Sequence, residues 1–157
     1  MKYPTRIDIP IENVKEVSST NEYLTHLCEK NKAQEFYTVI ADHQFEGKGQ
    51  RGNSWESETG KNLTFSILLK SDNGSIFQVK ACDQFIISET AALSVTDLLY
   101  AHGITAKIKW PNDIYVGNRK ICGILIEHSV RNGLLSSSII GIGLNVNQRN
   151  FDVNLPN

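Results

Sequence analysis

Nine residues about a third of the way along the chain, GKGQRGNSW from Gly47 to Trp55, combine glycines, cations and a large aromatic side chain. Glycine frees backbone amides, and Lys48 and Arg51 stand beside them, a combination that suits a phosphate or a carboxylate. A solvated surface loop would have the same composition. Trp55 is unusual in so polar a segment, and it could either cover a flat ring or pin the loop to the protein body.

The same glycines match G-x-G-x-x-G, the pattern of a dinucleotide-binding turn. That turn must open a helix and needs an acidic residue about 20 positions later. The residues after Gly52 read NSWESETGKN and contain no apolar stripe at helical spacing. We therefore predict a long loop from Asp42 to Lys61 and reject the dinucleotide-binding interpretation.

A second candidate region is KIKWPNDIYVGNRKICGILIE, in which Lys109 and Lys120 are each flanked by apolar strand residues. At least one of these lysines should face into the sheet, and a buried ammonium group is costly unless an anion meets it. A bound carboxylate or phosphate could supply that anion, and so could Asp113. Gly123, among large apolar residues, indicates close approach by another group.

Two further stretches are more polar or smaller than the fold alone requires. In SSTN, helix capping explains Ser19 but not the other small polar residues beside it. In GIGLNVN, Gly141 and Gly143 alternate along a strand, so they share one face, which Asn145 continues. The missing side chains could form a slot for a flat ligand, although a helix packed tightly on the sheet would have the same pattern.

Composition excludes several classes of function. The net charge of −1 gives the whole molecule no electrostatic attraction for nucleic acid. The sequence contains no membrane-length apolar run, no signal peptide, no catalytic Ser-His-Asp or Cys-His set and no metal-ligand spacing among its three cysteines and four histidines. Cysteines among apolar neighbours indicate buried, reduced thiols and a cytoplasmic protein. The remaining chemistry is charge stabilisation without a covalent enzyme intermediate.

Two helices and several strands must position these residues. NEYLTHLCEKN follows a capping box of Ser19 and Glu22. The second helix, DQFIISETAALSVTDLLYAHG, should end at Gly103 and has apolar residues at helical spacing: Phe85, Ile86, Ala92, Val95 and Leu99.

The strands are YTVIA, NLTFSILLK, ITAKIKW, DIYV, KICGILIEH and LLSSSIIGIGLNVN, of which the last three are joined by tight turns through GNR and RNG. Strands joined in this way must be antiparallel. We therefore expect an α+β fold, with a mixed, mostly antiparallel sheet and helices packed on one side.

Taken in order, STN, then Q-x-x-G-x-G-x-x-G-x-x-W, then KWPND followed by K-x-x-G-I-L-x-E, then G-x-G-x-N-x-N resemble the catalytic domain of biotin–protein ligase. The resemblance implies a fold like that of class II aminoacyl-tRNA synthetases. It also implies a two-step reaction, in which biotin and Mg·ATP give biotinoyl-AMP, and a lysine of a biotin carboxyl carrier protein then accepts the biotinoyl group.

The resemblance also implies roles for individual residues. Lys120 would contact the carboxylate and the phosphate, Arg51 would wrap the adenylate, and Asp113 would deprotonate or orient the carrier lysine. The residues expected to bind biotin or ATP are Ser19, Thr20, Asn21, Gln44, Gly47, Lys48, Gly49, Gln50, Trp55, Lys109, Asn112, Gly123, Gly141, Gly143 and Asn145.

The sequence departs from the family pattern in its loop, where GKGQRGN replaces GRGRRGR. Gln50 and Asn53 stand in place of arginines and Lys48 replaces a third, and lysine does not replace bidentate arginine at a phosphate. We therefore expect weaker retention of the adenylate.

The resemblance implies one catalytic domain over residues 1–157 that is truncated at its C-terminus, without an N-terminal DNA-binding domain or a C-terminal β-barrel. A lipoate– or octanoate–protein ligase of the same fold and a non-catalytic biotin-binding fragment are the alternatives. Edge strands in the hairpin half could pair in a homodimer.

Overall fold

The computed structural model describes residues 9–71 and 78–151. Its helices and strands are β1 Ile11–Val17, α1 Thr20–Glu29, β2 Thr38–Gln44, β3 Leu63–Lys70, α2 Phe85–Ala101, β4 Lys107–Lys109, β5 Asp113–Val116, β6 Arg119–Arg131 and β7 Leu134–Leu144. The strands form one seven-stranded sheet in the order β1-β2-β3-β7-β6-β5-β4. β1 and β2 are parallel, and the other pairs in this sheet are antiparallel. The predicted mixed, mostly antiparallel sheet is therefore confirmed.

The two predicted hairpins are also confirmed, and their turns explain why the strands reverse there. Gly117 lies between β5 and β6 with φ of 59°, while Asn132 and Gly133 lie between β6 and β7 with φ of 54° and 75°. Asparagine and glycine tolerate this left-handed backbone better than other residues do. The turns bring β5, β6 and β7 side by side, with both pairings antiparallel.

The two helices pack against alternate residues of the sheet. Leu24 of α1 lies in one buried cluster with Leu68 and Ile139. Leu99 of α2 lies in another with Ile140. Successive side chains of a strand point to opposite faces, so α1 and α2 cover opposite faces instead of sharing one side as expected.

The start of α1 differs from the predicted capping box. Ser19 is the N-cap residue, with φ of −153° and ψ of 137°, but its side chain makes no capping hydrogen bond. The Ser18 hydroxyl instead donates to Glu22 Oε2 at 2.8 Å. The helix start was thus predicted correctly, while the hydrogen bond that marks it comes from the preceding serine.

The apolar pattern of α2 is only partly confirmed. Val95 and Leu99 are buried as predicted, whereas Ile86 is 54% exposed and Ile87 takes its buried position. The helix begins only at Phe85 after a short 3₁₀ turn, Ala81–Asp83. This turn sets which residues of the first helical turn face the sheet.

The cysteines are free, but they are not all buried. Cys122 is buried, Cys28 is half-buried and Cys82 is exposed. The prediction was wrong for Cys82 because this residue lies in the 3₁₀ turn before α2, outside the sheet-facing part of the helix. In the part of the chain that the structure describes, neither helix is long and apolar enough to cross a membrane.

Candidate functional site

A cavity of about 450 Å³ lies at the N-terminal end of α1, between the sheet and the loop that follows β2. Its volume falls in the range of small-molecule sites. The predicted site residues that line it are Ser19, Thr20, Asn21, Gln44, Lys48, Gly49, Gln50, Arg51, Trp55, Lys109, Asn112, Asp113, Lys120, Gly123, Gly141, Gly143 and Asn145. Residues distant in sequence are thus brought to one cavity.

Gly47 is the predicted site residue that does not line this cavity. Its carbonyl accepts a hydrogen bond from the Trp55 backbone N–H at 2.8 Å. A Cβ at position 47 would lie 2.3 Å from the Trp55 carbonyl oxygen. Gly47 therefore closes the base of the loop, and its lack of a side chain lets the two backbone segments approach.

Hydrogen bonds join α1, β2 and β3 at the polar end of the cavity. Gln44 Oε1 accepts from the Thr20 backbone N–H at 2.7 Å and lies 3.0 Å from the Thr20 hydroxyl. The Ser66 hydroxyl lies 2.7 Å from the Thr20 hydroxyl and donates to Asn21 Oδ1 at 2.6 Å. β2 continues three residues beyond the predicted YTVIA strand, so Gln44 is held at a strand end instead of inside a loop.

The Asn21 side chain is hydrogen-bonded at both its oxygen and its nitrogen. Its Nδ2 donates to Glu127 Oε2 at 2.7 Å and to the Leu125 carbonyl at 3.4 Å, while Ser66 meets its Oδ1. A Cβ at Gly141 would lie 2.3 Å from Asn21 Oδ1. Gly141 therefore provides the space that Asn21 occupies when it ties α1 to the sheet.

The slot predicted at the glycines is filled by the protein itself. The Trp55 indole occupies the space beside both glycines. A Cβ added to Gly143 would lie 2.3 Å from the nearest indole atom, and a Cβ added to Gly123 would lie 2.9 Å from the indole. Trp55 therefore pins the loop to the sheet, one of its two predicted roles. Its indole nitrogen and Asn145 Oδ1 are buried polar atoms without a hydrogen-bond partner in the described structure. Unpaired polar atoms of this kind are typical of a site that a ligand completes.

Lys120 is the strand lysine that faces the cavity. Its ammonium lies 2.8 Å from Asp113 Oδ1, and the two side chains are 26% and 19% exposed. The contact is an ion pair without hydrogen-bond geometry, because no hydrogen bond reaches this oxygen. Of the two anions that the sequence analysis considered for this lysine, a bound ligand or Asp113, the structure shows Asp113. The Lys120 ammonium also lies 5.6 Å from the centre of the Trp55 ring.

Lys109 and Asn112 occupy the rim of the cavity. Lys109 is exposed, and its ammonium lies 5.1 Å from the centre of the Tyr115 ring. The Ile124 backbone N–H donates to the Asn112 carbonyl, and Asn112 Nδ2 donates to the Ile124 carbonyl, both at 2.9 Å. Asn112 therefore fastens the Trp-Pro-Asn-Asp turn to β6.

The basic loop folds over the cavity as a short 3₁₀ turn, Gln50–Gly52. Lys48 forms an ion pair with Glu22 of α1. The hydrogen bond from Lys48, and then that from Ser18, lower the pKa of the Glu22 carboxyl. Arg51 has a left-handed backbone with φ of 58°. The turn does not open a helix, which agrees with the rejection of a dinucleotide-binding motif.

Sequence reasoning gave no role to Ser66 or Glu127, which form the network around Asn21. Ser66 and Thr64 are buried on one face of β3. Polar residues at every second position of an apolar strand were an available signal for a polar cavity wall. Glu127 belonged to the K-x-x-G-I-L-x-E motif, but no pattern within the sequence indicated its contact with α1.

A family model for the biotin/lipoate A/B protein ligase family matches residues 14–145. The chain therefore belongs to the biotin/lipoate A/B protein ligase family. It is 34% identical over 137 residues to the bifunctional ligase/repressor BirA of Bacillus spizizenii and 30% identical over 142 residues to that of Escherichia coli. These matches confirm the identification that the four motifs supported, a biotin–protein ligase catalytic domain.

The fold is confirmed by a solved structure, the biotin protein ligase from Aquifex aeolicus in complex with biotin and ATP. It superimposes with a TM-score of 0.71 at 31% identity, over 93% of this chain and 56% of that one. The match agrees with the predicted class II aminoacyl-tRNA synthetase-like fold. The alignment with the Bacillus protein covers 87% of this chain but 41% of that protein. The alignment with the Escherichia coli protein covers 90% of this chain but 42% of that protein. The chain thus spans about two fifths of these relatives.

Proposed function

We propose that this chain forms the catalytic site of a cytoplasmic biotin–protein ligase. The ligase would use ATP to convert biotin into biotinoyl-5′-AMP and transfer the biotinoyl group to a lysine of a biotin carboxyl carrier protein. The observation that carries the proposal is that one cavity is lined both by Thr20 and Gln44 and by the cations Lys120 and Arg51. The names and titles of its relatives support biotin and ATP as substrates.

In the first step, a carboxylate oxygen of biotin attacks the α-phosphorus of ATP and pyrophosphate leaves. Lys120 would stabilise the negative charge that gathers on the reacting phosphate, and Arg51 would cover the product. In the second step, the carrier amine attacks the acyl carbon, the bond to AMP breaks, and the amine proton passes to Asp113. Charge stabilisation by groups already in place is the main contribution expected of such a site.

Mg²⁺ would neutralise phosphate charge when it is bound with ATP. This ion commonly uses one or two protein carboxylates together with substrate phosphates and water. The cavity offers the carboxylates of Asp113 and Glu56. Among residues 9–71 and 78–151, no group of three His, Cys, Asp or Glu residues could hold a metal ion. Asp113 and Glu56 therefore fit an Mg²⁺ ion that is bound mainly by the phosphates of ATP and arrives with the nucleotide.

Two other functions remain as alternatives. The family includes lipoate ligases as well as biotin ligases, so a lipoate– or octanoate–protein ligase is the first. The second is a biotin-binding module without catalysis, which the altered loop favours through Gln50 and Asn53. Release of pyrophosphate from ATP separates an enzyme from a binding module.

The test of the proposed function is transfer of biotin to a purified carrier domain, detected by mass spectrometry, beside calorimetric titration with biotin and with lipoate. We expect a mass increase of one biotinoyl group that requires ATP, and heat of binding with biotin only. Heat with lipoate but not biotin would instead support the lipoate alternative. A carrier whose target lysine is replaced by arginine is the matched control.

A further inference from the structure

We propose that Glu127 is a positioning residue that sets the hydrogen-bonding pattern of the polar end of the cavity through Asn21, Ser66 and Thr20. Glu127 does not line the cavity itself. The inference rests on the proposed function only for the identity of biotin as the ligand.

The orientation of the Asn21 amide follows from its two acceptors. Glu127 Oε2 at 2.7 Å and the Leu125 carbonyl at 3.4 Å can only accept hydrogen bonds, so the amide nitrogen must face them. The amide oxygen therefore faces Ser66, whose hydroxyl lies 2.6 Å away. Without Glu127, only the long contact to Leu125 would oppose a flip of the amide.

The hydroxyl protons are ordered by this orientation. Ser66 has one hydroxyl proton, and it goes to Asn21 Oδ1 because that oxygen can only accept. With that proton used, the 2.7 Å contact between the two hydroxyls takes the proton of Thr20, whose other acceptor, Gln44 Oε1, is farther away at 3.0 Å. Gln44 Oε1 receives the Thr20 backbone N–H at 2.7 Å. The amide nitrogen of Gln44 is thereby presented as a donor.

Loss of Glu127 would remove this order. A flipped Asn21 amide would present its nitrogen to Ser66, and the Ser66 proton would turn to Thr20. The Thr20 proton would then point at Gln44. The donors and acceptors of the cavity wall would then change while its shape stayed the same. A ligand that forms hydrogen bonds with both kinds of group would bind less tightly.

The test compares Glu127→Ala with Glu127→Gln, and Glu89→Ala on the exposed face of α2 is the control. Glu127 is exposed, so none of these changes should alter the melting temperature by more than about 2 °C. We expect Glu127→Ala to raise the Kd for biotin about three- to tenfold, the range of one hydrogen bond. Glu127→Gln should bind as wild type does, because its amide oxygen still accepts from Asn21.

Two results would overturn the inference: Glu127→Ala binding biotin as tightly as wild type, or Glu127→Gln losing as much affinity as Glu127→Ala. The second would show that only the charge matters, for example through its effect on Lys48. If the wild-type protein does not bind biotin, the proposed function is wrong, and the positioning role of Glu127 is then tested by NMR of the free protein. Hydrogen exchange at the Asn21 side-chain amide should then be faster in Glu127→Ala than in Glu127→Gln, and equal rates would overturn the inference.

Discussion

Glycine residues in the cavity wall are sites of close approach between parts of the protein. Gly141 admits Asn21, and Gly143 and Gly123 admit Trp55. The sequence predicted that Gly141 and Gly143 share a face and that another group approaches Gly123. It could not identify the approaching side chains, because they come from a helix and a loop distant along the chain.

We expect Gly143→Ala to displace Trp55. A Cβ at this position would lie 2.3 Å from the indole, and overpacking of this kind costs about 1–3 kcal/mol. In a Trp110→Phe background, where Trp55 is the remaining tryptophan, fluorescence should shift towards longer wavelength. Gly123→Ala, with a nearest approach of 2.9 Å, should have a smaller effect. Identical spectra for the three proteins would contradict this packing.

Replacement of Asp113 by asparagine tests its proposed role in the transfer step. Because Asp113 contacts Lys120 at 2.8 Å, the substitution also removes the counterion of that lysine. We expect adenylate formation to continue while transfer to the carrier slows about tenfold or more, within the range of acid–base catalysis. Single-turnover measurement with preformed biotinoyl-AMP isolates the second step, and an unchanged rate there would remove Asp113 from the mechanism.

At the scale of the elements, most strands and both hairpins were predictable because their turns carry Asn and Gly and many of their apolar residues are β-branched, whereas β1 was not among the predicted strands. The placement of the helices on opposite faces was not, since the sequence does not say which residues of β7 face which helix. The basic loop was predicted as a loop, but its attachment to α1 depends on Glu22, which was assigned only to a capping box.

Restoring arginine in the loop tests the effect of its altered composition. We predict that Gln50→Arg together with Asn53→Arg slows the release of biotinoyl-AMP, because arginine binds phosphate through two hydrogen bonds. Both positions line the cavity, so the added guanidinium groups can reach the ligand. Release is measured by trapping free adenylate with hydroxylamine. A double variant that releases it as fast as wild type would contradict the prediction.

The contact between the loop and α1 should weaken in acid. The Lys48 and Ser18 hydrogen bonds lower the pKa of Glu22 below its ordinary value of 4.5, so this stabilising contact is complete above that value and is lost as the pH falls through the lowered pKa. Both side chains of the ion pair are about half exposed, so the effect is small and is screened by salt.

Acrylamide quenching of Trp55 in the Trp110→Phe protein measures this weakening. Quenching should rise as the pH falls from 7 through the lowered pKa of Glu22, and Glu22→Gln should already show the raised value at pH 7. Glu89→Gln is the control, on a helix that covers the other face. Equal quenching of wild type and Glu22→Gln at pH 7 would show that the ion pair does not hold the loop.

For the whole molecule, the reactivity of the cysteine thiols tests whether the sheet is packed as the structure shows. Burial raises the pKa of the Cys122 thiol to about 12, whereas Cys82 is exposed. Because the thiolate is the reactive form, a disulfide reagent at pH 8 should modify Cys82 rapidly and Cys122 only after unfolding. Mass spectrometry of the labelled peptides checks this order. Rapid labelling of Cys122 in the folded protein would contradict the buried position of β6.

The family and the set of cavity residues could be predicted from the sequence because four separated motifs keep their order and spacing. The contacts that hold those residues, such as Asn21 with Glu127, required the structure, since nothing local to either residue specifies the other. The central proposal is that one cavity activates a carboxylate by joining it to AMP.

The most direct test is release of pyrophosphate from ATP by wild type and by Lys120→Met, with biotin and without it. Wild type should release pyrophosphate only when biotin is present, and Lys120→Met should be about 10²- to 10³-fold slower, as for loss of one group that stabilises transition-state charge. Pyrophosphate release that does not require biotin, or a Lys120→Met rate equal to wild type, would contradict the account.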